Sequence, residues 1–469
     1  MYLSARRVLS RHALVVDVRT PHSPLIAERR TRKRTPEMAS KKTTTSKRSA
    51  AAMTAPAGLA VGAKGKGVEE VQDYLTRFGY LAAPKKAGAA AGGAVEIIDD
   101  RPSAARGSFD DATAEALQQF QHMAGLAPSG RLDEATKAKM TAPRCGNHDR
   151  LGFVATGGRW QNADLTYAFS EFTADLSQDQ IRQAVHQAFS TWAGWTKLTF
   201  REGPIGSAQI ILRFVTGDHG DGNPFDGASG ILAHAFFPGT PPATPTPIQG
   251  DTHFDDAETW TIAVPTGASQ FDLTTVATHE FGHALGLNHS PVVGSVMQPF
   301  YGGPRRVLHG DDVSGITSIY GGYDIAEASW THGTSMQIEV PESLESVRRF
   351  GFFTRVVGKA NTTNWFHFAI PTPVIQNNVR RTFGPCMLRF STGGTSAVVR
   401  DVHLYDGEVR VVAHDAVNLS GSQPFTRFGI AHSPKVLWGV GISIGVTFGA
   451  GNSAARTMDF ISAGCDFRP

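Results

Sequence analysis

Residues 278–290 read T-H-E-F-G-H-A-L-G-L-N-H-S, and the three histidines in this stretch, His279, His283 and His289, surround one glutamate, Glu280. His279 and His283 are four apart, so a helix sets them on one face, one turn from each other. Imidazole nitrogen suits Zn²⁺, and a catalytic zinc takes three protein ligands and leaves one position open. His289 lies too far along the chain to remain on that face. Gly286, between the two, can take φ > 0, end the helix and turn the chain back, which lets His289 reach the metal. Glu280 faces the open side, where its carboxylate suits a general base. A bare H-E-x-x-H also occurs on polar helices without a metal; Gly286 and His289 at these offsets make the pattern specific.

Upstream, residues 143–149 read P-R-C-G-N-H-D. A lone cysteine is ordinarily buried or incidental. Here a thiolate is a good zinc ligand, and Cys145 could fill the open fourth position. Arg144 and Asp149 could pair and hold the loop in shape. The chain has three cysteines, too few for a disulfide scaffold. Cys386 and Cys465 could pair within the C-terminal region, which leaves Cys145 odd.

The stretch before this loop reads as three short helices. Val68, Val71, Leu75 and Phe78 recur at helical spacing, with Gly79 as a stop; Ser108 to Asp111 offers an N-cap for a helix bearing Leu117 and Phe120; Leu132 to Glu134 opens a third, to about Met140. The Ala/Gly-rich run 84–107 reads as a flexible loop. Taken together, these motifs resemble a matrix metalloproteinase (matrixin) zymogen of the metzincin clan. The helices resemble that family's peptidoglycan-binding-like propeptide, and residues 143–149 resemble its cysteine switch, with His148 where the family pattern usually has Pro. The resemblance covers about residues 67–322.

Within it, Leu165 to Phe169 with Arg159-Trp160 reads as a first strand, Gln180 to Trp195 as an amphipathic helix, and 197–201, 208–215 and 231–237 as further strands. Strand–helix–strand order predicts a right-handed crossover and a mostly parallel sheet. In the family the strand at 231–237 is an edge that pairs with substrate backbone. His219, Asp221, His234 and His253 come together if the strands pair, and four N/O ligands with no vacancy describe a structural zinc site; the resemblance implies the same set. It also implies a Ca²⁺ site on Asp226, Asp255 and Glu258, with backbone carbonyls near Gly227, Ser229 and Ile231. A second calcium site is less expected, because Gln209 stands where the family has Asp, although Asp251 could contribute. By the same resemblance, Met297 is the methionine beneath the three histidines, and Pro299 to Tyr301 form the outer wall of the pocket that selects substrate. Asp311 reads as the N-cap of a last helix or, in the family, as a partner for a new N-terminus.

Residues 323–469 differ in character. Strands are expected at 365–370, 398–404, 409–412 and 436–448, with Asp406-Gly407 as a hairpin turn and Val440, Ile442, Ile444 and Val446 alternating with small residues. This predicts a β-sandwich unlike the four-bladed domain of many matrixins. Trp330, Trp365 and Trp438 read as core, and its histidines as surface or hydrogen-bonded.

The expectation is therefore a multidomain chain: a basic, disordered segment at 1–66, a three-helix propeptide at 67–150, an α/β metzincin domain with a twisted, mostly parallel five-stranded sheet and three helices at 151–322, and an all-β sandwich at 323–469. Residues 1–66 carry 15 Lys and Arg against 3 Asp and Glu, and the remainder is net acidic. No run of 18 apolar residues suggests a membrane span. The function expected is a latent zinc endopeptidase acting on protein or peptide, with Zn²⁺ and Ca²⁺, no nucleic-acid partner, and an extracellular location argued from the latency device and calcium. A cell-wall or glycan-binding protein with a secondary peptidase is the alternative.

Overall fold

The computed structural model describes residues 53–82, 101–149, 158–239 and 248–469. Most of the basic segment and of the 84–107 loop lies outside them. Residues 53–66 do not fit the expected disorder: Met53 and Ala55 are buried in the helical core, and Thr54 bonds Glu70. The first unit packs α1 (Lys66–Arg77), α2 (Asp111–Met123) and α3 (Glu134–Met140). Asp110 caps α2 through Thr113 N, and Asp133 caps α3 through Thr136 N; such caps contribute about 1 kcal/mol each. The core of Val68, Val71, Leu75, Leu117 and Phe120 continues into Phe225, Ile231 and Phe300 of the next unit.

That unit contains β2 (Asp164–Phe169), α4 (Gln178–Ala193), β3 (Thr199–Glu202), β4 (Ile210–Val215), β5 (Ile231–Ala235), β6 (Thr252–Asp255), the short pair β7 (Trp260–Thr261) and β8 (Phe271–Asp272), α5 (Leu273–Ala284) and α6 (Gly310–Tyr320). With β1 (Arg144–Cys145) the sheet order is β1-β5-β6-β4-β2-β3, and only β5–β6 is antiparallel. Five strands thus belong to this unit, and the sixth is lent by the segment that follows the helices. Arg159 and Trp160 are not in a strand. α4 packs its apolar face on α5, where Phe189 stacks on Phe281 at 3.8 Å. The zinc-motif helix is thereby held against the core, buried along its whole length.

The C-terminal strands are β9 (Glu327–His332), β10 (Gln337–Ile338), β11 (Leu344–Arg349), β12 (Thr354–Gly358), β13 (Thr362–Ile370), β14 (Ile375–Gln376), β15 (Val379–Arg380), β16 (Thr382–Thr392), β17 (Ala397–Asp406), β18 (Val409–His414), β19 (Ser422–Phe428), β20 (Val440–Phe448) and β21 (Thr457–Arg468). Two sheets, β10-β13-β20-β17-β18 and β11-β12-β21-β16-β19 with β9 beside β21, enclose one core. The alternating Val440, Ile442, Ile444 and Val446 all face inward. Cys386 and Cys465 are register partners yet remain free, buried thiols. The core assignment fails for Trp330 and Trp438, 37% and 70% exposed, because one lies on the outer face of a short added strand and the other on the loop before β20.

Candidate metal centre

Asp272 caps α5 by accepting from Thr275 N, and the helix ends where Gly286 adopts φ 103°. A Cβ at Gly286 would lie 2.4 Å from Gly158 O, so the turn that brings His289 back requires glycine in both conformation and space. His279 Nδ1 bonds Val296 O at 2.8 Å, His283 Nδ1 bonds Leu287 O at 2.7 Å, and His289 Nδ1 lies 2.8 Å from Asp149 Oδ1. The Nδ1–H of His279 and of His283 is therefore spent on a carbonyl, and the Asp149 carboxylate beside His289 Nδ1 favours the same tautomer there, which leaves the Nε2 lone pairs bare. His289 Nε2 stands 3.2 Å from that of His279 and 3.1 Å from that of His283, with Cys145 completing a group whose ligand atoms all lie within 4.8 Å. Bare lone pairs this close repel. A tetrahedral zinc with bonds of about 2.0–2.1 Å would separate its nitrogens by about 3.4 Å, so the donor set fits that ion. Burial holds His279 down to about 3 and His283 well below its ordinary range, which keeps both neutral as ligands must be.

Among the described residues Glu280 Oε1 is buried with no partner, and Oε2 lies 3.5 Å from Cys145 Sγ. Burial pushes Glu280 up to about 8 and raises the Cys145 thiol well above its usual value; a cation among the donors would reverse both tendencies. β1 reaches this point by pairing parallel to β5. Arg144 N donates to Gly230 O, Gly146 N to Ala233 O, and Cys145 N to Pro299 O across the cleft at 2.9 Å. The Asn147 amide extends the pairing, donating to Ala235 O and accepting from Ala235 N. Arg144 pairs with Asp149, both buried, and lies 3.5 Å over the Phe78 ring. Asp149 also accepts from Tyr80 OH at 2.6 Å. His148 is exposed and makes no part of this cradle.

Met297 lies under α5: a Cβ on Gly282 would meet its sulfur at 2.3 Å. The turn around it is fixed by Asp312, which accepts from Ser295 Oγ, Val296 N and Met297 N. Sequence reading passed over Asp312 because the adjacent Asp311 offered a simpler role. Asp311 is not the N-cap; His309 is, and Asp311 accepts from Ser290 Oγ at 2.6 Å. Tyr301 OH accepts from Asp272 N, tying the pocket wall to the start of α5.

A second group lies at the β5–β6 edge. The register sets His234 opposite His253, and Asp221 Oδ2 lies 2.8 Å from ring nitrogens of His219, His234 and His253. Burial raises the Asp221 carboxyl, but hydrogen bonds from His234, Asn223 N and His253 outweigh it and hold the group low. One carboxylate oxygen facing three imidazoles is the donor set of a closed N/O metal site. Nearby, Asp226 Oδ1 accepts from Ile231 N and Glu258 Oε1 from Ser229 N, while Asp255 Oδ2 is buried with no partner among the described residues. Burial raises Asp255 to about 6 and Glu258 to about 8, and the neighbouring carboxylates add to both, which suits a hard cation. Gln209 instead bonds Thr166, and Asp251 accepts from Ile211 N, so both serve the sheet.

Residues 159–321 match the matrixin family model. The chain carries a matrixin domain. Residues 64–140 match a putative peptidoglycan binding domain, and 326–468 match a family of unknown function. The chain is 45% identical over 210 residues to interstitial collagenase of Bos taurus, covering 44% of this chain and 43% of that one. The hatching enzyme of Paracentrotus lividus is 38% identical, covering 54% and 39%, and human matrix metalloproteinase-25 is 38% identical, covering 53% and 44%. The chain thus spans less than half the length of these relatives. Matrixins use Zn²⁺ and Ca²⁺, in keeping with the donor sets above. No helix among the described residues is long and apolar enough to cross a membrane.

Proposed function

We propose that the protein is a zinc endopeptidase, made latent by its own N-terminal segment and acting outside the cell. The observation that carries this reading is the meeting of Cys145 with His279, His283 and His289, beside Glu280, whose Oε1 has no partner among the described residues. When bound, zinc would supply a Lewis acid that polarises the scissile carbonyl and acidifies water. Glu280 takes the proton of the attacking water and delivers it to the leaving amine nitrogen, so that the two products separate neutral at the cut. The edge of β5 offers backbone groups to an extended peptide, and Pro299 to Tyr301 flank the side chain beyond the cut. In the latent form β1 lies on that same edge, and Cys145 takes the position that water would need. His219, Asp221, His234 and His253 hold a structural zinc, and Asp226, Asp255 and Glu258 with the carbonyls of Gly227, Ser229 and Ile231 hold calcium. Residues 67–150 act as propeptide, 151–322 as peptidase and 323–469 as an attached β domain.

Glycan binding by the helical unit is the second reading, favoured by its family match. Against it stands the burial of Phe300 and Ile231 in that unit's core, which commits the helices to the cleft. The deciding measurement is cleavage of a peptide library by the full chain before and after limited proteolysis, with and without chelator. Cleavage is expected only after processing and only without chelator. A processed, zinc-loaded chain that cuts no peptide overturns the proposal.

A further inference from the structure

The C-terminal domain reaches the cleft through one loop. The pocket beside His279 and Glu280 is apolar at Leu232 and Val276 and is closed on its far side by Tyr301, Gly302, Gly303 and Arg305. Arg305 does not offer a free charge there: its N–H donates to Thr275 Oγ1 at 2.8 Å, and its guanidinium to Ser295 O and Gln298 Oε1 at 3.0 and 2.8 Å. The next residue, Arg306, is 4% exposed. It forks onto Asp272, the N-cap of α5, with Nε and Nη2 at 3.0 and 2.6 Å, and Nη2 also reaches Ile262 O. Its third nitrogen, Nη1, meets Asp415 O of the C-terminal domain at 2.7 Å. Val307 then packs against the C-terminal core.

Asp415 is itself fixed. Its carbonyl also accepts from Gln187 Nε2 at 2.9 Å, its N–H donates to Gln187 Oε1, and its carboxylate holds His403 at 2.7 Å and Gln183. Beside it the two domains touch through the Ala431 backbone: Phe200 N donates to Ala431 O, and Ala431 N to the Ser190 hydroxyl. Ala431 belongs to the core of the matrixin domain. A guanidinium buried this deeply needs acceptors for its donors, and the neighbouring domain provides the one that Nη1 meets.

We propose that the C-terminal β domain is a specificity element of the cleft. Through the Asp415 carbonyl and its core it clamps Arg306 and Val307, fixing the pocket floor at Gly302 to Arg305, and so determines which apolar side chain of a substrate the pocket accepts. Arg306 is a positioning residue in this scheme, linking α5, the loop and the second domain. The inference rests on the peptidase reading above.

Two substitutions away from the cleft test it. A Cβ at Gly429 would lie 2.0 Å from Ser190 O and 2.3 Å from Gly194 N, so Gly429→Val wedges the domains apart. Gln187→Leu keeps the volume but removes both hydrogen bonds to the Asp415 backbone, and it carries the test should the wedge prevent folding. The full chain, processed by limited proteolysis, is assayed on peptides that differ only in the residue entering the pocket, Ala or Leu. The Leu-over-Ala ratio of kcat/KM is expected to fall on the order of 10-fold, about what one methylene of pocket depth decides, with zinc content unchanged. An unchanged ratio in a folded variant overturns the clamp. Failure of the unsubstituted processed chain to cut either peptide overturns the peptidase reading first, and the clamp with it.

Discussion

Glu280 and Cys145 meet where the donor atoms converge, and the function proposed above gives each a role that the other excludes. Glu280→Gln keeps the shape and removes the base; zinc content is expected to stay at the parent value while kcat of the processed chain falls by about 10²- to 10⁴-fold. Full activity in that variant would remove Glu280 from the mechanism. Cys145→Ser removes the thiolate but leaves the hydrogen bonds from Arg144, Cys145 and Gly146 that lay β1 on β5 and Pro299. The unprocessed variant is therefore expected to show peptide cleavage that the unprocessed parent lacks, yet to remain below the processed chain. A variant as silent as the parent would mean that the backbone pairing alone imposes latency. These two residues were legible from spacing. Asp149 was legible only as a partner of Arg144; its contacts with His289 and Tyr80 join residues 140 and 69 positions away, which no local pattern encodes.

At the scale of elements, the β5–β6 pairing brings together the second group of candidate metal ligands. The antiparallel register places His234 and His253 side by side, and the loop after β4 delivers His219 and Asp221 to the same edge. Elemental analysis of the full chain is expected to give two zincs, and Asp221→Asn one. The Tm of that variant should fall by about 2–4 °C for each kcal/mol of binding lost from the folded state. Two zincs in the variant would dismiss the group as a metal site. The positions of β2, α4, β3, β4, β5 and α6 were readable to within a few residues, because periodicity and capping are local, whereas β6 to β8 were not read as strands. The N-cap of α6 was misread at Asp311 because His309 and Asp312 form a box around it that depends on where the methionine turn sits. The β1 strand was not readable as a strand at all: two residues have no period, and they pair only because the edge of β5 is there to receive them.

For the molecule as a whole, the seam between α4 and the C-terminal sheets gathers histidines, of which His414 is buried. His414, bonded to Gly429 O, is held down to about 4 by burial, and His186, 3.3 Å from His432, is held down to about 4 by burial and by that neighbour. A folded pKa below the unfolded value means that the contribution is complete above about pH 6.5 and is lost as the pH falls toward 4. Stability measured by urea unfolding should decline through that window, His414 alone contributing about 1.4 kcal/mol per pH unit. His414→Gln, which keeps a donor for Gly429 O, should lessen the slope by one proton's worth, separating this seam from loss of metal at the other histidines. A slope identical in parent and variant would show that His414 titrates normally.

The sequence by itself determined the chemistry of the centre. Three histidines, a glutamate and a glycine at fixed offsets, with one cysteine upstream, specify a zinc-type donor set because helix geometry and glycine's left-handed freedom act over a few residues. It also determined the order of helical, α/β and all-β regions, since periodicity is local. Only the tertiary structure decided how those regions cooperate. It made residues 53–66 part of a folded core, left Cys386 and Cys465 as thiols, turned Trp330 and Trp438 outward, and joined the β domain to the pocket loop through Arg306. Each of these depends on which surface meets which, and the burial of a guanidinium or an indole is a property of that meeting, not of its neighbours in the chain.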